Sequence, residues 1–144
     1  MIFDATNLFS DQQAITATAV STNVIDLGAT DTPKHAVNAI TRDIGKGTPI
    51  ALRVQVTEDF ATLTSLTVTV QKDTVEGFGS AETVAVSPAI AAADLVAGYV
   101  FPMPAVVRGQ DQRYMRLNYT VAGTNASAGK ITAGLVFDNE ERDV

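Results

Sequence analysis

Arginine and tyrosine interleave in RYMRLNYTVAGT at 113–124. A strand that grips nucleic acid uses this mixture, guanidinium groups for phosphates and aromatic rings for bases. Successive side chains of an extended chain point to opposite faces. Tyr114 therefore shares a face with Arg116, Asn118 and Thr120, while Met115, Leu117, Tyr119 and Val121 line the other. Tyr114 and Tyr119 fall on opposite sides and cannot form one stacking platform. Arg113 belongs by parity with the apolar set, yet at the strand start it can reach solvent. The stretch reads as a half-buried strand with a basic outer edge. A net charge of −6 argues in the same direction, because affinity for a polyanion comes mainly from excess Lys and Arg. No nucleic-acid partner is expected.

Other reactive groups are sparse. His35 is the only histidine and sits between Lys34 and Ala36 in a polar, threonine-rich stretch. No second histidine and no GxSxG-type elbow accompanies the hydroxyls, so no activated nucleophile is expected. Glu58-Asp59 and Glu140-Glu141 are adjacent carboxylates, which in extended chain face apart and make poor acid/base couples. GKGT at 45–48 lacks the four-residue gap of a phosphate loop and leads into a strand pattern, so it reads as a turn. The DNEERD tail has no calcium-loop spacing. With no cysteine and a single histidine, thiolate and multi-histidine metal sites are excluded. The expectation is a protein that is not an enzyme, with no catalytic residues, no metal site and no cofactor. A carbohydrate- or small-ligand-binding module is the alternative. Against it stand the absence of tryptophan and an aromatic content of only 6%, since sugar rings stack on aromatic faces.

The elements that would carry these side chains are mostly strands. Period-two alternation puts Ile50, Leu52, Val54 and Val56 on one side of PIALRVQVT, and Leu66, Val68 and Val70 on one side of SLTVTVQK. KITAGLVFD offers Ile131, Ala133, Leu135 and Phe137, and weaker alternation marks AITATAV, STNVIDL, ETVAV and GYVFPM. Clusters of Gly, Pro, Asn, Asp and Ser separate them as turns: GATDTP, GKGTP, EGFGSA and AGTNASAG. One short helix is predicted, with Ser87 as N-cap, Pro88 at the first helical position, AIAAADLVA as body and Gly98 as its stop. KHAVNAITRDI fits either a helical face through Val37, Ile40 and Ile44 or a strand or loop. The expected fold is all-β: a jelly-roll β-sandwich of about eight antiparallel strands with one short helix.

At 144 residues the chain suits a single domain spanning 1–144. Within it, 1–12 reads as an N-terminal arm with little strand pattern, and 138–144 as an acidic tail. No apolar run approaches the roughly 18 residues of a membrane span, and MIFDATNLFSD has neither the basic nor the apolar region of a signal peptide. Ile2, Phe3, Leu8 and Phe9 of the arm either make a contact with another subunit or cap the core. Tyr99 and Phe101, before the two prolines, leave the same choice. The first 33 residues carry Asp4, Asp11, Asp26 and Asp31 and no base, whereas 105–137 carry Arg108, Arg113, Arg116 and Lys130 against Asp111 alone. Segregated signs can steer a protein–protein contact, or they are scatter over a soluble surface.

DATNLFSDQQAIT, STNVIDLG, RDIGKGTPI, SLTVTVQ, RYMRLNYTVAGT and GKITAGLV occur in that order. As a set they resemble the capsid cement (decoration) proteins of tailed bacteriophages, of the type first described in a Bordetella phage, over about residues 1 to 138. The resemblance implies a jelly roll on the outer capsid surface of the virion, made in the host cytoplasm. There it bridges major capsid protein subunits and stabilises their lattice. It further implies a homo-oligomer, a dimer favoured over a trimer, with no active site. Ile2, Phe3, Leu8, Phe9, Tyr99, Phe101, Arg108, Arg113 and Arg116 are the candidate interface residues.

Overall fold

Two stretches with the strongest alternation form strands far longer than their individual patterns. In a computed structural model that describes residues 3–103, 105–106 and 108–137, β4 runs without a break over Ile50–Asp73 and β8 over Tyr114–Val136. They pair antiparallel from Leu52↔Leu135 to Asp73↔Tyr114, with register shifts only between Val56 and Ser65. Those shifts bend both strands, so each contributes one half to each of two sheets.

Around the 50–58 half of β4 and the 130–136 half of β8 lie β1 (Phe3–Ala14), beside β8, and the run from Gly98 to Met103 with β7 (Ala105–Val106), beside β4. The latter docks through Gly98 N–H to Val56 O, Val56 N–H to Tyr99 O and Phe101 N–H to Val54 O. Around the other halves lie β2 (Ala19–Val20) and β3 (Ile25–Asp26), beside β8, and β5 (Glu82–Val86) and β6 (Ile90–Ala91), beside β4. Taking β1, β2–β3, the halves of β4, β5–β6, the run from Gly98 to Met103 with β7, and the halves of β8 as successive strands 1 to 8, the sheets run 1-8-3-6 and 2-7-4-5. That is the double-sheet jelly roll.

The core lies between them. Leu52, Val54 and Val56 of β4 with Ile131 and Ala133 of β8, on one sheet, face Leu66, Val68 and Val70 of β4 with Met115, Leu117 and Tyr119 of β8 on the other, all at most 1% exposed. Each large aliphatic side chain removed from water in this way contributes about 1.5–3 kcal/mol. Tyr119 Oη lies 2.7 Å from Ser10 Oγ, a buried hydrogen bond that joins the two sheets. Burial pushes the Tyr119 hydroxyl well above the ordinary tyrosine range. At the bend Gly129 has φ +134°, and a Cβ there would stand 2.3 Å from the Phe60 ring, so the chain turns over an aromatic side chain with no room for another carbon.

Three expectations are corrected. The segment from Phe3 to Ala14 is a strand hydrogen-bonded along β8, and Phe9 is fully buried, so 3–12 is not a free arm. Register shifts between Phe3 and Leu8, Leu8 and Ser10, and Ser10 and Gln13 break its parity, which is why the alternation was not visible. The helix expected over 88–97 shrinks to one 3-10 turn, Ala92–Asp94, because Ile90 and Ala91 pair with Leu66 and Ser65. AGTNASAG, expected as a turn, stays extended across the bend of β8. The acidic tail, 138–144, lies outside the described residues, as does Ile2.

Candidate interaction surface

The arginines of the opening stretch are engaged inside the molecule. Arg113 makes a bidentate pair with Asp26, Nε to Oδ1 and Nη2 to Oδ2 both at 2.7 Å. That fork, with a hydrogen bond from Gly28 N–H, lowers the Asp26 carboxyl to about 2 and raises the guanidinium further. Arg113 also lies over Tyr114, 4.9 Å from its ring centre. Arg116 packs 4.1 Å above the Phe78 ring and donates from Nε to Gln71 Oε1 at 2.8 Å, and partial burial pulls its pKa down. The charge segregation seen along the chain is thus partly cancelled in space, because the acidic Asp26 of β3 pairs with a base beside β8.

The apolar candidates divide between core and surface. Phe9 and Phe101 are buried, at 0% and 2% exposure, and Tyr99 is half-buried, its ring edge-on to Phe101 at 5.6 Å. Phe3 and Leu8 are half-buried and cross over Gly134, where a Cβ would lie 3.1 Å from each. Nearby, Pro49, Ile50, Leu135, Val136 and an 86%-exposed Phe137 line an open groove of about 330 Å³. Arg108 is exposed. The structure therefore brings Phe3 and Leu8 together, separates them from Tyr99 and Phe101, and leaves Arg108 as the arginine of the three with no side-chain partner among the described residues.

The stretch after Gly28, read as a turn at GATDTP and as either a helical face or a strand or loop at KHAVNAITRDI, forms neither helix nor strand over 29–43. Residues 29–41 are all exposed, Val37 at 94% and Ile40 at 56%. Their apolar spacing was visible as an ambiguous helical face; that they remain uncovered was not.

Among the described residues no group of three or more His, Cys, Asp or Glu side chains is arranged to hold a metal. Asp73, the most buried carboxylate, caps the 74–80 turn by accepting from Val75 N–H at 3.1 Å and Ser80 N–H at 2.9 Å, and those bonds hold its pKa down. It shapes a loop.

The sequence model of one protein family, Bbp16, matches residues 9–135. The chain belongs to the Bbp16 family. The match begins at the core residue Phe9 and ends at Leu135, so it takes in both sheets and the exposed 29–41 loop. By its name Bbp16 is a family of Bordetella phage proteins, which points to a phage structural protein and to the virion. A comparison with curated proteins finds no match.

Proposed function

We propose that this Bbp16 protein is a capsid decoration protein, bound on the outer surface of the phage head, where it stabilises the lattice of the major capsid protein as a homo-oligomer, a dimer in preference to a trimer. The observation that carries this reading is the match of a phage protein family over residues 9–135, which take in both sheets. The build of the molecule supports it. Its two sheets share continuous strands and one core, and its distinctive side chains lie on the outside: the groove lined by Pro49, Ile50 and Phe137, the 29–41 loop and Arg108. A stable protein–protein contact needs roughly 1,000 Å² of complementary surface, and an oligomer gripping several lattice subunits gains avidity from contacts that are individually weak. The proposed role is structural and not enzymatic, with no cofactor.

The test is addition of purified protein to expanded capsids of the matched phage prepared without it. Saturable co-sedimentation, with a rise in the temperature at which the capsids release DNA, is the expected result. Protein that stays in the supernatant at every concentration refutes the proposal.

A further inference from the structure

The connection between β3 and β4, residues 27–49, is the longest described stretch between strands, and it touches the core through the partly buried Leu27 and Ile44. Its one described β-bridge, Ile44↔Gln110, joins it to the connection between β7 and β8. Connections longer than about 12–15 residues without regular structure are uncommon in compact domains and usually serve a function. Here the loop is shaped by its own hydrogen bonds. Arg42 donates to Leu27 O and Gly28 O, closing the base, and Asp43 Oδ1 accepts from Gly109 N–H at 2.7 Å. Inside the loop, Ile40 N–H reaches Asp31 O at 3.0 Å, Ala36 N–H reaches Pro33 O at 2.9 Å, and His35 takes a left-handed φ of +71°. The tip so held presents Val37, at 94% the most exposed large apolar side chain described. Ile40 and Ile44 line a shallow depression beside it.

The charge pattern singles out the same corner. Most described basic side chains are engaged: Arg42 on backbone carbonyls, Arg53 on Gln55, Lys72 on Asp111 and Glu82, Arg113 on Asp26, Arg116 on Gln71 and Phe78, and Lys130 on Glu58. Lys34, Lys46 and Arg108 have no side-chain hydrogen bond or ion pair among the described residues. Lys34 and Lys46 belong to the loop, and Arg108 is next to Gly109, which the loop's Asp43 holds. Among the described residues, a chain of net charge −6 thus has its unengaged basic side chains in or beside the loop that carries Val37 and Ile40.

We propose that this corner, with Val37 and Ile40 at its centre and Lys34, Lys46 and Arg108 around them, is the surface that seats on the shell. The complementary site is an apolar recess edged by carboxylates on a capsid subunit. This rests on the decoration reading and specifies the partner's chemistry. Aliphatic side chains without a solvent-facing aromatic ring among them suit a protein recess better than bases, which call for stacking, and surrounding cations steer encounter and fix register. A clamped loop also loses little freedom on docking.

Four full-length proteins decide it by co-sedimentation with matched capsids lacking this protein: wild type, Val37→Asp/Ile40→Asp, Lys34→Glu/Lys46→Glu/Arg108→Glu, and Thr120→Asp on the outer face of the second sheet. Both corner variants should bind at least ~10-fold more weakly, with melting temperatures close to wild type because the replaced side chains are exposed. Thr120→Asp should bind as wild type does. Wild-type binding with undiminished binding by the corner variants overturns the inference and leaves the decoration reading standing, as does an equal loss in Thr120→Asp. Failure of wild type to bind overturns the decoration reading and this inference with it. Binding of short duplex DNA by wild type, lost on reversing the three cations, overturns the protein-recess assignment.

Discussion

Tyr119 is the side chain on which the two sheets most directly depend. It is fully buried, contributes a large ring to the core, and its hydroxyl meets Ser10, which itself donates to Gln13 Oε1 at 2.7 Å. Tyr119→Phe keeps the ring and removes one buried hydrogen bond, so it should lower unfolding stability by about 1 kcal/mol. Tyr119→Ala also opens a cavity and should cost about 3–5 kcal/mol. Urea unfolding of both variants checks this, and equal losses would mean that the hydroxyl and not the ring dominates. Acid stability follows from the carboxylates. Asp26 titrates at about 2 against an ordinary 3.8 because of Arg113 and Gly28, and Asp73 and Asp111 are shifted down as well. A carboxyl lowered by folding contributes stability that is complete above its unfolded pKa and is lost as pH falls through the folded one. The melting temperature should therefore show no loss from these groups between neutrality and about pH 4 and fall below it, down to about pH 2. Asp26→Asn should flatten the lower part of that fall, and a pH series of thermal melts reads it directly.

Among the elements, β1 carries the clearest consequence. Deleting residues 1–10 removes Phe9 and Ser10 from the core and strips the edge partner from β8. The shortened protein should lose cooperative melting and aggregate through the bared strand. It would not be a folded protein that has merely lost a contact, and size-exclusion chromatography with a thermal melt separates the two outcomes. At the bend, Gly129→Ala places a Cβ against Phe60 at a backbone angle that side chains rarely adopt, and should cost about 1–3 kcal/mol by urea unfolding. These sites also show what was legible beforehand. The alternation of 50–56, 66–70, 115–121 and 131–135 gave the correct inward faces, since each half-strand buries one side against one core, whereas Phe137, placed on the same face by parity, is 86% exposed. The union of those runs was hidden. At 57–65 and 122–129 the bend suspends the period, and small polar residues there look like a turn even where pairing continues. For β1 the bulges erased the signal. For 88–97, strand partners 24 and 26 residues upstream (Leu66 for Ile90, Ser65 for Ala91) overrode the alanine-rich helical composition. The candidate surface was only partly readable: Arg113 and Arg116 look alike with Arg108 in sequence, and only their tertiary partners distinguish them.

The molecule as a whole is built from distant pairings. The central ladder joins residues 52–73 to 114–135, so most of its contacts require long loops to close before they are rewarded. Refolding should accordingly take about milliseconds to seconds, with stopped-flow fluorescence of the tyrosines as the check; microsecond refolding would contradict the pairing described. The bent β4 and β8 have another consequence. Where two sheets are joined only by loops and side-chain packing, one layer can slip over the other at little cost. Here covalent backbone passes from layer to layer twice, in opposite directions, and any slip would have to drag both strands through Phe60 and the bend. Loaded from one side, the protein would yield as a single stiff plate, transmitting strain along peptide bonds to whatever it is fastened to on the other.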